Sequence, residues 1–323
     1  MSHVKSHSRE PLLRIAKREG ISRPKAYGVR AAAVLLSLVV SGIFIFTVTK
    51  LNPIAVYEGI YDGAFGTPRR FWATIRDTMM LLCIGVGLAP AFKMRFWNIG
   101  AEGQILIGGV ITAGFMRFYG STIPTPVLLV LMAAVSLTAG GVWGVIPATF
   151  KARWNTNETL FTLMMNYIII GVVRWLQGGP WEGRPGSQII PMFDQSAWLP
   201  EVFGVHCGWI IVLVLVVVMH LYMNYTKHGY EIAVIGDSLN TARYAGIRDK
   251  RNIVLSMAIA GGLAGGGAAL YYLSGNTEFF WSTYQTLPAE GFNGIPVALL
   301  AVNNPIAVIF TAIFMSVLDI AGL

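Results

Sequence analysis

Apolar runs close to the length of a bilayer crossing recur along almost the entire chain. Judged by apolar length and by Gly, Pro and charge punctuation, they fall at residues 29–48, 72–92, 99–118, 126–149, 158–177, 208–224, 251–273, 294–302 and 305–321. A hydrocarbon core about 30 Å thick takes roughly 20 apolar residues as a helix. In that solvent the backbone must satisfy its own hydrogen bonds, so helix is the expected state. The eighth run is too short to cross alone, and Asn303, Asn304 and Pro305 interrupt the apolar sequence before the ninth. The pattern predicts an all-α polytopic membrane protein with about eight or nine hydrophobic segments, some of them broken helices.

Composition strengthens that reading: 54% of residues are hydrophobic and only 12% charged, against about 25% charged in soluble domains. No soluble domain of ordinary size fits between the runs. The formal charge of +8 raises the question of nucleic acid, which the distribution answers. Arg9, Arg14, Lys17, Arg18, Arg23, Lys25 and Arg30 precede or open the first run. With residues 1–28 as a basic cytoplasmic tail and 29–323 as the membrane domain, alternate connections receive Lys93 and Arg95, Lys151 and Arg153, then Lys227, Arg243, Arg248, Lys250 and Arg251. That is the positive-inside pattern. A nucleic-acid site would instead intersperse aromatics among its basic residues. The first run is too long for a signal peptide and lacks a small-residue cleavage site, so it is expected to remain as an anchor.

Cys83 and Cys207 have neither a metal-ligand spacing nor a partner framework. His206, His220 and His228 fall at ends of runs, where solvated or interfacial positions are expected. The long connection 178–208 is rich in Gly and Pro, carries Trp181 and Trp198, and is expected to pack against the outer membrane face.

The stretch FWNIGAEGQILIGG, residues 96–109, sets Asn98, Glu102 and Gln104 at the head of an apolar run. A charge at mid-bilayer costs about 2.5 to 3.5 kcal/mol on insertion scales, so it turns toward protein or water. Two compatible readings follow. Glu102 opens a helix near the inner interface, where an N-terminus favours negative charge, or Asn98, Glu102 and Gln104 line a polar path between helices. Ala101-Glu102-Gly103 is echoed by Ala289-Glu290-Gly291, after Arg-Phe-Trp and Phe-Phe-Trp clusters on opposite predicted sides; a possible inverted repeat would place such segments about a central site. Asn157 and Glu158 open another run and suit a helix N-terminus.

Residues 236–252, GDSLNTARYAGIRDKRN, form a polar interruption in which Asp237 or Ser238 can cap a short helix, Arg243 falls in its last turn and Gly246 can end it in a left-handed conformation. The following run pairs Gly261 with Gly265 and Gly262 with Gly266 at the spacing of closely packed membrane helices.

Taken together and in order, NIGAEGQ (98–104), NETLFTLMMNYI (157–168), GDSLNTARYAGI (236–247), SMAIAGGLAGGGAAL (256–270) and GFNGIPVALLAVNNP (291–305) resemble the permeases of binding-protein-dependent ABC importers, the branch serving ribose, branched-chain amino acids and nucleosides. NETLFTLMMNYI with its GGPW loop is most similar to nucleoside and simple-sugar permeases. The resemblance implies a multi-pass plasma (inner) membrane subunit that pairs with a second permease, identical or homologous, with a cytoplasmic ABC ATPase and with an extracytoplasmic solute-binding protein. It implies no cofactor on this chain, with ATP and Mg held by the ATPase. Consistently, no G-x-x-x-x-G-K-[ST] loop, H-E-x-x-H or G-x-S-x-G motif is present, so no catalytic residue is expected.

The resemblance also makes Asp237, Ser238, Asn240, Arg243, Tyr244, Gly246 and Arg248 the ATPase-coupling segment. Candidate path residues are Asn98, Glu102, Gln104, Asn166 and Asn293, whose amides and carboxylate suit a neutral, hydroxyl-rich solute. Family members usually continue past the Asn-Asn-Pro segment with two further spans, so a terminal helix is expected to be missing. The rival readings are an ion-coupled secondary transporter, a branched-chain amino acid permease and a membrane scaffold.

Overall fold

The computed structural model describes residues 23–191, 198–202, 205–274, 278–279 and 290–322. The basic tail before Arg23, Phe280, Trp281 and Ala289 lie outside the described residues. The chain falls into two compact units, Met1–Gly59 and Ile60–Leu323.

Among the described residues of the first unit are α1 (Arg23–Thr49) and the start of α2 (Pro53–Phe65). The Tyr57 hydroxyl donates to the Leu38 carbonyl at 2.6 Å and shares a 2.7 Å bond with the Ser41 hydroxyl, folding α2 back along α1. The hydrophobic pattern had not singled out α2, because Glu58 and Asp62 break its apolar run.

The second unit continues with α3 (Pro68–Lys93), α4 (Ala101–Tyr119), α5 (Thr125–Trp154), α6 (Glu158–Gln177), α7 (Gly208–Tyr225), α8 (Lys227–Asp237), α9 (Leu239–Tyr244), α10 (Asp249–Tyr272), α11 (Glu290–Leu300) and α12 (Pro305–Ala321). Each of the nine expected runs is a helix. Among the described residues six helices, α1, α3, α5, α6, α7 and α10, are long and apolar enough to cross a membrane. The only strands among the described residues are two-residue pairs: β1 (Ile190–Pro191) with β4 (Glu278–Phe279), and β2 (Glu201–Val202) with β3 (Val205–His206). The chain is a multi-pass all-α membrane protein.

Local chemistry sets the boundaries. Thr67 caps α3 by accepting from the Arg70 N–H, with Pro68 in the first helical position. Asn155, left-handed at φ 51°, ends α5, and Asn157 caps α6 by accepting from the Leu160 N–H. Lys151 and Glu158 then pair at 2.9 Å across that turn. Thr226 caps α8, a helix the sequence pattern had left unassigned.

α10 occupies the centre, packed most extensively against α5, α3 and α4. Its glycines explain how. A Cβ on Gly140 of α5 would collide with the carbonyl oxygen of Gly261, and a Cβ on Gly261 with that of Gly140. Gly265 lies against Gly108 of α4, and its carbonyl accepts the Ser136 hydroxyl of α5 at 2.6 Å. Backbones approach this closely only where side chains are absent, which is how membrane helices gain dispersion contact without a hydrophobic driving force.

α11 and α12 form a hairpin along α3. Gly294 packs on Ile84, Val297 and Val308 both meet Gly85, and Ser316 donates to the Thr74 carbonyl at 2.8 Å. α11 therefore runs with α3 and α12 returns against it. Asn304 caps α12 ahead of Pro305, and the turn takes Val302 and Asn303 through left-handed φ of 53° and 56°.

The long connection packs back on the bundle: Ile190 is fully buried, Trp181 meets Phe118 edge-on, and the Leu199 N–H donates to the Leu273 carbonyl at 3.0 Å.

Gly261→Val should overpack the α5–α10 seam at a cost of about 1 to 3 kcal/mol. Gly171→Val, into open space, should be near neutral. Thermal unfolding of the detergent-purified protein distinguishes them, and equal midpoints would contradict the seam.

Candidate functional site

Between α3 and α4 the chain leaves helical bonding inside the bundle. Residues 94–100 turn through a left-handed Arg95, φ 61°, and α4 begins at Gly100 with no side-chain cap of its own. A buried helix end without partners is costly. Partners come from α6: the Asn166 side chain accepts from the Gly103 N–H and donates to the Ile99 carbonyl, both at 2.9 Å. The Thr162 hydroxyl accepts from the Ile99 N–H at 3.3 Å. Asn98 accepts from the Gly100 N–H at 3.0 Å and donates to Gln104 at 3.1 Å.

Of the five candidate path residues, Asn98, Gln104 and Asn166 thus meet in one buried network. Glu102 lies in the first turn of α4, as one reading expected, and is only 4% exposed. Its carboxylate accepts from the Gly291 N–H of α11 at 2.9 Å, and a Cβ on Gly291 would strike the α4 backbone at Glu102. The two Glu-Gly pairs therefore meet where two broken helices begin, each beginning capped by a side chain from elsewhere in the fold. Asn293 is half-buried on α11.

A second constellation was not foreseen. Asp77 of α3, Glu290 of α11 and Asp319 of α12 bring carboxylate oxygens within 4.8 Å of one another. Asp77, between Arg76 and Thr78 near the head of an apolar run, and Asp319, near the end of the last run, are far apart in sequence. Only the packing of the α11–α12 hairpin on α3 unites them.

His206 corrects an expectation. It is buried rather than solvated, at 8% exposure, because β2–β3 and Leu199 close over it. Burial, and then the nearby positive charge of Arg76, push its pKa down to about 4, so its ring is neutral at physiological pH.

At the other end of the bundle Ser238 both ends α8 and caps α9 by accepting from the Thr241 N–H at 3.3 Å. Gly246, at φ 74°, allows the left-handed exit. Arg243 gives two hydrogen bonds, at 2.9 and 2.7 Å, to Asp249 in the first turn of α10. Ala242 is buried, while Asp237, Asn240, Arg248 and above all Tyr244, 97% exposed, face outward. α8 rests on the broken helix: a Cβ on Gly236 would collide with the Lys93 carbonyl, where α3 ends. A cavity of about 280 Å³ beside them is lined by Met94, Phe96, Lys151, Glu158 and Ser238.

Broken helices meeting inside a multi-pass bundle, with a short polar helix buttressed at one end, define a membrane protein of the transport class. Residues 71–323 match the family described as branched-chain amino acid transport system / permease component, and the chain belongs to it. It is 30% identical to a guanosine ABC transporter permease of Bacillus subtilis, over 90% of this chain and 84% of that one. It is 29% identical to a nucleoside ABC transporter permease of Lactococcus lactis (86% and 79%) and 27% identical to a glucose ABC transporter permease of Haloferax volcanii (92% and 80%). No solved structure is a significant match.

Asn166→Ala would strand the Gly103 N–H and the Ile99 carbonyl, each at about 1 to 3 kcal/mol. A lowered thermal midpoint of the detergent-purified variant is expected, and an Ala variant as stable as wild type would remove the capping role.

Proposed function

We propose that this permease subunit forms the translocation path for a nucleoside, working with a separate cytoplasmic ABC ATPase, a second permease subunit and an extracytoplasmic binding protein. The observation that carries the substrate class is the pair of nucleoside-type relatives aligned over most of the chain. The glucose permease relative keeps a simple sugar as the second reading. In this reading residues 1–28 are a cytoplasmic tail, 29–323 the membrane domain, and ATP and Mg belong to the ATPase alone.

The coupling segment is α8–α9. Tyr244 offers an ATPase an exposed aromatic anchor, of the residue type enriched at interface hot spots. Force applied there reaches the interior by contact: Arg243 ties α9 to α10, and Gly236 abuts the end of α3, from which 94–100 leads to the capped start of α4. ATP binding would bias a two-state equilibrium between inward- and outward-facing forms through its different affinity for the two.

Reconstitution with ATPase, partner permease and binding protein should give ATP-dependent uptake of guanosine in preference to glucose or leucine. Uptake of glucose alone would replace the nucleoside reading with the sugar one. Arg243→Glu, which sets like charges on α9 and α10, should lower substrate-stimulated ATP hydrolysis several-fold without affecting membrane insertion. Arg243→Glu with Asp249→Arg should restore it. Tyr244→Ala should weaken co-purification of the ATPase while leaving the fold intact, and full stimulation in that variant would contradict the anchor.

A further inference from the structure

At the N-terminal end of α3 a cavity of about 430 Å³ opens between α3, the 198–206 segment and the end of α10. Its lining combines Trp72 and Trp198 with Arg69, Arg76, Glu201 and His206. The volume lies within the roughly 300 to 1,000 Å³ of small-molecule sites. Two observations mark it as more than a surface dent. The buried Trp198 indole N–H and both ring nitrogens of buried His206 have no hydrogen-bond partner, although buried polar groups are nearly always paired. Gly208 also leaves room for the imidazole, since a Cβ there would lie 2.7 Å from Nδ1.

The chemistry of the lining restricts what fits. Arg69 and Arg76 can only donate, Glu201 accepts, and neutral His206 does one of each. A small anion would gain from the guanidiniums but face Glu201, and a purely apolar ligand would leave every donor stranded. A flat heterocycle with donors and acceptors along its edge, carrying hydroxyls, matches both the polar groups and the indole faces. Base–aromatic stacking of this kind is tolerant of base identity. A narrow cleft lined by Arg76, Met79, Met80, His206 and Tyr271 continues from the cavity between α3, α7 and α10. Arg76 lies over the Tyr271 ring at 5.7 Å, beside Asp77 of the carboxylate cluster.

We propose that this cavity is an outer reception site for a nucleoside, with the heterocycle against Trp72 and Trp198 and its edge read by His206, Arg76 and Glu201. The assignment rests on the nucleoside reading of the importer and adds a location on this chain to it. The solute would be held here before the broken-helix region opens.

The complete importer, irradiated with 8-azidoadenosine, should incorporate label on this subunit within the peptides containing Trp72 or Trp198, and excess guanosine should suppress it. Trp198→Ala should cut that labelling about five- to a hundredfold, the range set by losing one stacked base, and slow guanosine uptake at saturating substrate. Glu201→Gln, an exposed and conservative change, should reduce labelling less than Trp198→Ala does. If guanosine is transported but label maps elsewhere, or both variants label and transport within twofold of wild type, the reception site falls and the nucleoside importer stands. If the importer carries glucose and no nucleoside, both readings fall.

Discussion

A peptide group removed from water inside a membrane bundle must find a partner, and this requirement acts most sharply where a helix breaks. Residues 94–100 are such a break, and α4 starts after it without a cap from its own flanking residue. The fold answers by borrowing: Asn166 and Thr162 reach from α6, Asn98 folds back locally, and Glu102 in turn serves the start of α11. Remove the need for capping and no reason remains for so many amides and a carboxylate to sit at exposures of a few per cent.

Two kinds of contact then divide the bundle. The α5–α10 crossing is backbone against backbone, with Gly140 on Gly261 and Gly108 of α4 on Gly265. Close-packed seams of this sort resist small displacements, because any slip puts carbonyl oxygens into overlap. The starts of α4 and α11 also meet backbone to backbone at Gly291, and are tied in addition by hydrogen bonds between separate helices. Such bonds can be exchanged for water or for polar groups of a solute without unwinding either helix, at a net cost of about 1 kcal/mol apiece. A transporter with a rigid seam and polar ties is equipped to move at the ties.

The sequence disclosed the helices more readily than the site. Apolar length located all nine runs, since in lipid the helix is nearly the sole solution for an apolar stretch. It passed over α2 and α8, whose Glu58, Asp62, Lys227 and Glu231 dilute the apolar signal. Asn98, Glu102, Gln104 and Asn166 stood out because amides and carboxylates are expensive in hydrocarbon. That Asn166 would cap α4 did not, since the capping pair is separated by 63 residues and depends on how α6 packs. Asp77 and His206 were invisible for the same reason: Asp77 gains meaning only from Glu290 and Asp319, and His206 only from the short β2–β3 turn that buries it. Caps fixed by near neighbours, Ser238 on α9 and Asn157 on α6, were legible in advance.

The geometry of the echoed Glu-Gly pairs bears on why a transporter would keep carboxylates at both helix starts. Glu102 is held by an N–H of α11, and the Glu290 carboxylate of α11 lies within 4.8 Å of that of Asp77 of α3, so the chain of contacts runs from α4 through α11 to α3 without leaving the interior. α3 is also the helix whose far end meets Gly236 of α8. A displacement of α8 along α3 would thus be felt at both broken helices together, through a backbone contact at one end and side-chain contacts at the other. A single helix linking the proposed coupling surface to two capped breaks is a more economical transmission than separate levers for each. It also explains why the α11–α12 hairpin lies along α3 rather than standing apart from it.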